Sequence, residues 1–549
     1  MEATSDTRVV DYLVDAVATL GVTHIFGVDG ANIEDLYDAV FDSTVTGIVA
    51  KHEFSAATMA DGYARSTAGL GVVAATSGGG AMNLVAGLAE AYTSCVPVLA
   101  LVGQPPTAHE GIGGFQDTSG RAGSIDAGRL FAEVSRYCAR VERPDDVAEQ
   151  LRRAVNAARG GGPAVLLLPK DVQQARYTGD AFVPEPVAHA AAELDALIAA
   201  ITQARTTGKV VVIAGDQVAR DDARDRLRRL VLALDAEIGV APDAKDVYTH
   251  ADGFCGVAGT MGNVELVDAV ANSALCLLVG TRLPITARAG LDAALAGTRV
   301  VSIGAELPYL PTTHSTSTDL AADLDRLAAP FATTNPEPTT GRTLTALRVP
   351  DSTGPGLRYR DAVDAIAAQL PDGCDVFADA GNTGASVVHH LPVPHGGRFT
   401  VALGMGGMGY AFGAAIGSAL ARRRRTVVIA GDGAFFMHGM EIHTAIEHDV
   451  PVTFIVFNNN AHAMCVTREQ IYYRDRYSYN RFRPSMLGEG IAAMFPALPA
   501  FAARTTDDLT ATLDAAAQVT GPSFIAVDCD PDEIPPFAPF LSTATEERS

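Results

Sequence analysis

The sequence predicts an α/β protein built as three doubly wound domains, each a parallel sheet wrapped by helices. Three observations predict it. Short β-branched runs alternate with Ala-rich helical stretches, the strand–helix–strand rhythm of parallel sheets covered on both faces. Two Pro-bearing polar stretches, 176–193 and 330–356, interrupt that rhythm and read as linkers. The length, 549 residues, fits three domains at roughly 100–200 residues each. The domains are placed at residues 1–178, 190–333 and 356–549.

Taken in order, THIFGV, TGIVA, LGVVAAT, VPVLALVG and PAVLLLP read as the strands of the first domain. DYLVDAVATLG, SAATMADGYAR and AMNLVAGLAEAY read as its amphipathic or buried helices. KVVVIAG, EIGVAP, ALCLLVGTR and TRVVSIG are the strands of the second. The third opens near Tyr359 and has DVFADAG, RRTVVIAGDG, PVTFIVFNNN and SFIAVD. Duplication would relate the first and third domains, but no sequence identity shows it.

The bulk chemistry excludes some classes. A net charge of −23 leaves no room for a dominant basic face, so nucleic acid is excluded as a partner. The charge is read as a solvated acidic surface. Seven cysteines are scattered without a CxxC pair, which fits a reducing compartment rather than a disulfide framework or a zinc site. The acidic start has no signal-peptide layout, and no apolar run reaches the length of a membrane span. The expectation is a soluble cytoplasmic protein.

VVIAGDGAFF, residues 427–436, carries the chemistry. A buried strand runs into Gly431-Asp432-Gly433, with a helix expected over HGMEIHTAIEH. The glycines let the backbone turn tightly and approach a ligand. Asp432 stands at the carboxyl end of a parallel strand, where open α/β sheets bind ligands. The next strand ends in Asn458, Asn459 and Asn460. Asp432 and Asn459 thus lie at two neighbouring strand ends, a carboxylate beside an amide oxygen. Hard oxygen ligands with few charges suit Mg²⁺ and a diphosphate. Alone, GDG is a common turn; the combination with the asparagines at one crossover's spacing is much more specific.

This pattern resembles the GDG…NN signature of the thiamine-diphosphate (ThDP) enzymes. The resemblance implies that Asp432, the Asn459 side chain and the Ala461 carbonyl hold Mg²⁺. It also puts Gly431, Gly433 and Ala434 against the cofactor. HEFSAATMADGYAR resembles the HEQxAxxxADGYAR-type motif of the acetolactate synthase branch, whose glutamate maps to Glu53. Read alone, Glu53 is a first-turn helix acid; by the resemblance it is the carboxyl that promotes the imino tautomer of the cofactor's aminopyrimidine. TSGGGAMNL (76–84), GQPPT (103–107), GGFQD (113–117), GGPAVLLLPKD (161–171) and GMGGMGYAFGAAIGSA (404–419) are similar to further motifs of that branch, in order. By that mapping Gly406 and Met408 contact the pyrimidine, and Met408 supports the cofactor's bent shape. In DAGNTG, Asn382 and Thr383 are expected donors to the diphosphate. The resemblance names the domains pyrimidine-binding, central and diphosphate-binding. It implies a homodimer at least, often a homotetramer, with active sites between chains.

Departures limit the substrate. Asp29 replaces the proline of a GxPG turn, and is either a polar substrate contact or an exposed turn residue. Phe54 replaces Gln. The chain has no Trp. No His-His pair occurs in the first domain; His389 and His390 lie in the third and read as structural. Phe115 and Gln116 match the acetolactate synthase pocket, and Lys170 its PKD lysine. Arg288 lies near that branch's arginine with different flanks. APDAKDVYTH stands where flavin-binding relatives have another loop, which argues against FAD. DEIPPFAPF (532–540) is expected to close over the site as a mobile lid.

The function expected from the resemblance is a carboligase. A 2-oxo acid, pyruvate first, is decarboxylated, and its acyl unit joins a second carbonyl compound. The alternatives are a decarboxylase releasing an aldehyde and a non-catalytic relative of the same fold.

Overall fold

The structure, a computed structural model, describes residues 7–185, 189–332 and 339–541. Parts of both expected linkers, 186–188 and 333–338, lie outside the described residues. In the second linker 339–356 forms no helix or strand, while its first residues close the 3-10 helix Ala329–Phe331. By density of contacts the chain divides into two compact units. One is Met1–Val187 with Ala402–Thr426 and Ala434–Val452; the other is Ala188–Val401 with Val427–Gly433 and Thr453–Ser549.

The first unit holds a six-stranded sheet: β1 (His24–Val28), β2 (Thr46–Val49), β3 (Gly71–Ala75), β4 (Val98–Gln104), β5 (Tyr137–Arg140) and β6 (Pro163–Pro169). All pairings are parallel, in the order β2-β1-β3-β4-β6-β5. One face packs against helices Val9–Thr19, Glu34–Phe41 and Val147–Arg159 through Leu13, Val17, Leu36, Leu151 and Val155. In Val147–Arg159 the buried residues Val147, Leu151, Ala154, Val155 and Ala158 recur at helical spacing. On the other side helix Glu53–Thr67 is buried along nearly its whole length. It packs on β1 and β3 and on helix Tyr410–Arg422. These two helices meet backbone to backbone. A Cβ at Gly62 would stand 2.1 Å from the Ala414 carbonyl, and one at Gly417 2.0 Å from that of Met59.

The second unit holds two sheets. The first comprises β7 (Val210–Ala214), β8 (Glu237–Val240), β9 (Phe254–Val257), β10 (Leu275–Val279), β11 (Val300–Gly304) and β12 (Thr313–Thr316), ordered β12-β11-β10-β7-β8-β9. That is the 3-2-1-4-5-6 order of dinucleotide-binding folds. The second comprises β13 (Asp375–Ala378), β14 (Phe399–Val401), β15 (Thr426–Gly431), β16 (Val452–Asn458), β17 (Ala500–Ala503) and β18 (Ser523–Asp528), ordered β14-β13-β15-β16-β18-β17. Its order repeats that of the first unit's sheet, a likeness of the first and third domains that sequence identity did not reveal.

Three parallel α/β sheets were expected and are present. Five strands were not expected: β5, β9, β12, β14 and β17. All five are sheet edges. The helix after β15 also begins earlier than expected, at Asp432 rather than near His438. The Asp432 carboxylate accepts the Gly433 N–H at 2.9 Å. It thereby satisfies a first-turn donor and lets the helix start at the strand's end.

Candidate active site

The first unit carries one group of candidate residues, at the carboxyl ends of its strands. Glu53 opens helix Glu53–Thr67, and His52 caps it by accepting the Phe54 N–H at 3.1 Å. The Glu53 carboxylate is buried and takes a hydrogen bond of 2.9 Å from Asn83 Nδ2. Asn83 belongs to the TSGGGAMNL segment, on helix Gly79–Thr93. A Cβ at Gly80 would meet Glu53 Oε1 and Thr76 Cγ2, each at 3.0 Å, so the two side chains flank one spot. Thr76 Oγ1 donates to Gln116 Oε1 at 3.2 Å. The structure therefore brings Glu53, Thr76 and Gln116 together. Gln116 is held in the left-handed region at φ 58°, and its neighbour Phe115 is 73 % exposed.

The loop bearing Gly406 and Met408 belongs to the same unit. Buried Glu90 grips its start, accepting the Gly404 N–H at 3.2 Å and the Met405 N–H at 2.6 Å. At its end the Tyr410 hydroxyl donates to Asp61. Arg65 ties the two acids, at 2.6 Å from Asp61 and 3.6 Å from Glu90. Gly406 and Gly409 turn the loop at φ 65° and 88°.

The second unit carries a second group. Asp432 is fully buried. Its Oδ1 accepts the Gly433 N–H, and the backbone N–H groups of Asn460 and Ala461 also face the carboxylate. Burial still pushes the carboxyl up to about 7. Its Oδ2 is buried with no hydrogen-bond partner. Asn459 Oδ1 accepts the Ala461 N–H at 3.0 Å, while Nδ2 donates to the Tyr359 hydroxyl at 2.7 Å. Gly433 leaves room for His462, whose ring carbon Cδ2 would stand 2.4 Å from a Cβ there. Asn382 and Thr383 are buried at the start of helix Gly381–His390. A Cβ at Gly431 would lie 3.6 Å from Thr383 Oγ1. The Asn382 Nδ2 is engaged with Glu533 O and Thr467 Oγ1, each at 3.3 Å. Its Oδ1 is buried with no hydrogen-bond partner.

Other expected residues are occupied elsewhere. Lys170 bonds the Ala31 carbonyl at 2.6 Å and pairs with Glu34 and Asp35. Arg288 donates to Tyr309 O at 2.7 Å and pairs with Asp292 at 2.8 Å. Asp29 accepts its neighbour Gly30's N–H at 2.7 Å and is exposed, as a turn residue would be. His389 Nε2 accepts the Leu347 N–H at 2.8 Å, so Nδ1–H donates to Met261 O at 2.9 Å; both nitrogens serve the fold. The tail is packed rather than loose: Phe540 is buried against Tyr472 and Phe537, and Glu533 is buried too.

Three comparisons bear on this arrangement. The family models for the thiamine pyrophosphate enzyme's N-terminal TPP binding domain, central domain and C-terminal TPP binding domain match residues 7–122, 194–331 and 379–527. The chain belongs to the thiamine-diphosphate-dependent enzymes, in their acetolactate synthase-like branch. Acetolactate synthase isozyme 2 large subunit from Escherichia coli is 27 % identical over 489 residues, 85 % of this chain and 86 % of that one. Sulfoacetaldehyde acetyltransferase from Castellaniella defragrans is 27 % identical over 512 residues, 84 % and 83 % of the two chains. The fold is that of benzoylformate decarboxylase from Polynucleobacter necessarius, with a TM-score of 0.83 at 19 % identity over 96 % of this chain and 100 % of that one. The family's chemistry is 2-oxo acid decarboxylation and carboligation, and ThDP is the cofactor.

The residues present fit a hard divalent cation beside that cofactor. A buried carboxylate oxygen without a partner is costly, and Asp432 Oδ2 is one. The amide oxygen of Asn459 keeps a second lone pair after serving Ala461. No helix among the described residues is long and apolar enough to cross a membrane.

Proposed function

We propose that the chain is a Mg²⁺-dependent carboligase that decarboxylates a 2-oxo acid, pyruvate first among them. The remaining acyl unit is joined to a second carbonyl compound. ThDP, when bound, supplies the electron sink for this chemistry. The chain's own groups bind, orient and handle protons. Glu53, held by Asn83, would share its proton with the aminopyrimidine ring nitrogen of the bound cofactor. Asp432, Asn459 and the Ala461 carbonyl would hold Mg²⁺, with Thr383 a donor to the diphosphate. The loop of Gly406 and Met408 seats the pyrimidine. The two groups come from different chains of a homodimer or homotetramer in the cytoplasm.

Gln116 carries the carboligase reading. A non-glycine residue held at positive φ is a strained feature of the kind found at functional sites. Thr76 occupies its amide oxygen, which leaves the NH₂ as the donor for an acceptor's carbonyl oxygen. Lys170 lends no support, being spent on Glu34 and Asp35.

No flavin is proposed. The stretch where flavin-binding relatives carry a loop instead forms the 3-10 helix Pro242–Val247. Its buried Lys245 donates to the Val388 and Leu391 carbonyls at 2.6 Å each.

An NMR time course with ThDP, Mg²⁺ and pyruvate tests the function. Acetolactate is expected, or slow pyruvate loss that added aldehydes or ketones accelerate. Acetaldehyde as sole product would replace the carboligase with a decarboxylase. Untouched pyruvate would remove it as donor.

A further inference from the structure

A side-chain amide is nearly symmetric in shape, yet only one end serves a cation. The oxygen coordinates; the NH₂ does not. A metal-binding asparagine therefore needs partners that decide which end faces the metal, a task that falls to the groups behind the ligand. For Asn459 both partners are visible. The Ala461 N–H stands 3.0 Å from Oδ1. Rotating the amide by half a turn would set NH₂ against N–H, donor to donor. At the other end the buried NH₂ has the Tyr359 hydroxyl at 2.7 Å as its acceptor.

Tyr359 is itself tightly placed. It opens helix Tyr359–Gln369 and its side chain is fully buried. Its ring lies nearly parallel to that of Phe457, with centroids 6.0 Å apart and planes at 16°. Its own N–H, a first-turn donor without a helical partner, is taken by Glu533 Oε2 at 2.9 Å. The main-chain oxygen of Glu533 accepts from Asn382. One residue of the packed tail thus fixes both the start of the tyrosine's helix and a residue at the start of the diphosphate helix.

We propose that Tyr359 is a positioning residue for the metal, its hydroxyl holding the Asn459 amide so that Oδ1 is the end offered to the cation. This rests on the reading of Asp432 and Asn459 as metal ligands.

Tyr359→Phe removes one oxygen and leaves the ring. Titrating Mg²⁺ into apo-protein with saturating ThDP, followed by calorimetry, should show affinity falling about 10–100-fold. The second arm uses Asn459→Asp, whose carboxylate presents oxygen at both ends and needs no orientation. In that background Tyr359→Phe should change Mg²⁺ affinity little. Equal losses in both backgrounds, or unchanged affinity in Tyr359→Phe alone, would overturn the proposal. So would a Tyr359→Phe chain that fails to fold and is not restored by Asn459→Asp, since the hydroxyl would then serve the core alone. Asp432→Asn separates the underlying reading: if that variant binds Mg²⁺ as the parent does, the metal is not at this site, whatever Tyr359 does.

Discussion

Glu53 and Asp432 are both buried acids at strand ends, but different groups hold them. Glu53 has one side-chain donor, Asn83, and a place at a helix start; Asp432 has backbone donors and one unmet oxygen. Glu53→Gln should therefore leave ThDP affinity near that of the parent while lowering turnover about 10²–10⁴-fold, the range of a lost acid–base group. Calorimetry and steady-state kinetics on the same preparation check this, and unchanged turnover would remove Glu53 from the mechanism. A second residue-scale expectation concerns His438. It stacks on Phe54 at 4.3 Å and meets His52 edge-on at 5.1 Å. Burial, aided by His52, lowers its pKa from 6.5 to about 4. Between those values the unfolded chain binds a proton that the folded chain refuses, so stability is full above about 6.5 and falls as pH drops toward 4. Melting curves across that window should flatten in His438→Gln relative to the parent; parallel curves would dismiss the histidine as a source of acid sensitivity. Glu53 and Asp432 were legible in the sequence because each sits in a local motif. Their supports were not. Asn83 lies 30 positions from Glu53, Tyr359 100 from Asn459, and Glu90 315 from Met405. A linear pattern carries no trace of partners met through space.

At the scale of elements, the strands hidden from sequence share a physical reason. Interior strands are buried on both faces and read as unbroken apolar runs. Edge strands lack a neighbour on one side, and the unexpected ones show it: β5 is only partly buried throughout, β12 has exposed ends, and β14 has three residues. β2 is the edge that the sequence did disclose, through TGIVA. The close pairing of helices Glu53–Thr67 and Tyr410–Arg422 was equally silent, because a glycine within a helix pattern does not say what approaches it. That pairing places the helix that begins at Glu53 against the helix that follows the Gly406–Met408 loop. Gly417→Ala would drive a Cβ to 2.0 Å from the Met59 carbonyl, backbone that has no rotamer to yield. Overpacking of this kind costs about 1–3 kcal/mol. The melting temperature should fall and the affinity for ThDP with it; a variant as stable as the parent would mean that the two helices do not hold this spacing in solution.

The three-sheet architecture of the whole molecule was legible because strand–helix alternation repeats along the chain, and the structure adds that the first and third sheets share one strand order. A Pro-rich end looked like a lid, yet Phe540 and Glu533 are buried, so truncation before Pro535 should cost stability as well as activity. The proposed assembly leads to a sharper expectation. If each site takes Glu53 from one chain and Asp432 from another, two inactive variants can complement. Glu53→Gln and Asp432→Asn, co-expressed with different tags, would form mixed dimers in which one site pairs two altered residues and the other pairs two intact ones. With random pairing, half the dimers are mixed and about one site in four regains its full set. Tandem affinity purification of the mixed species should therefore recover turnover that neither variant shows alone. Were Glu53 and Asp432 of a single chain to share a site, every site in the mixed dimer would carry one altered residue and mixing would restore nothing. The same measurement thus decides whether the smallest active species is a pair of chains.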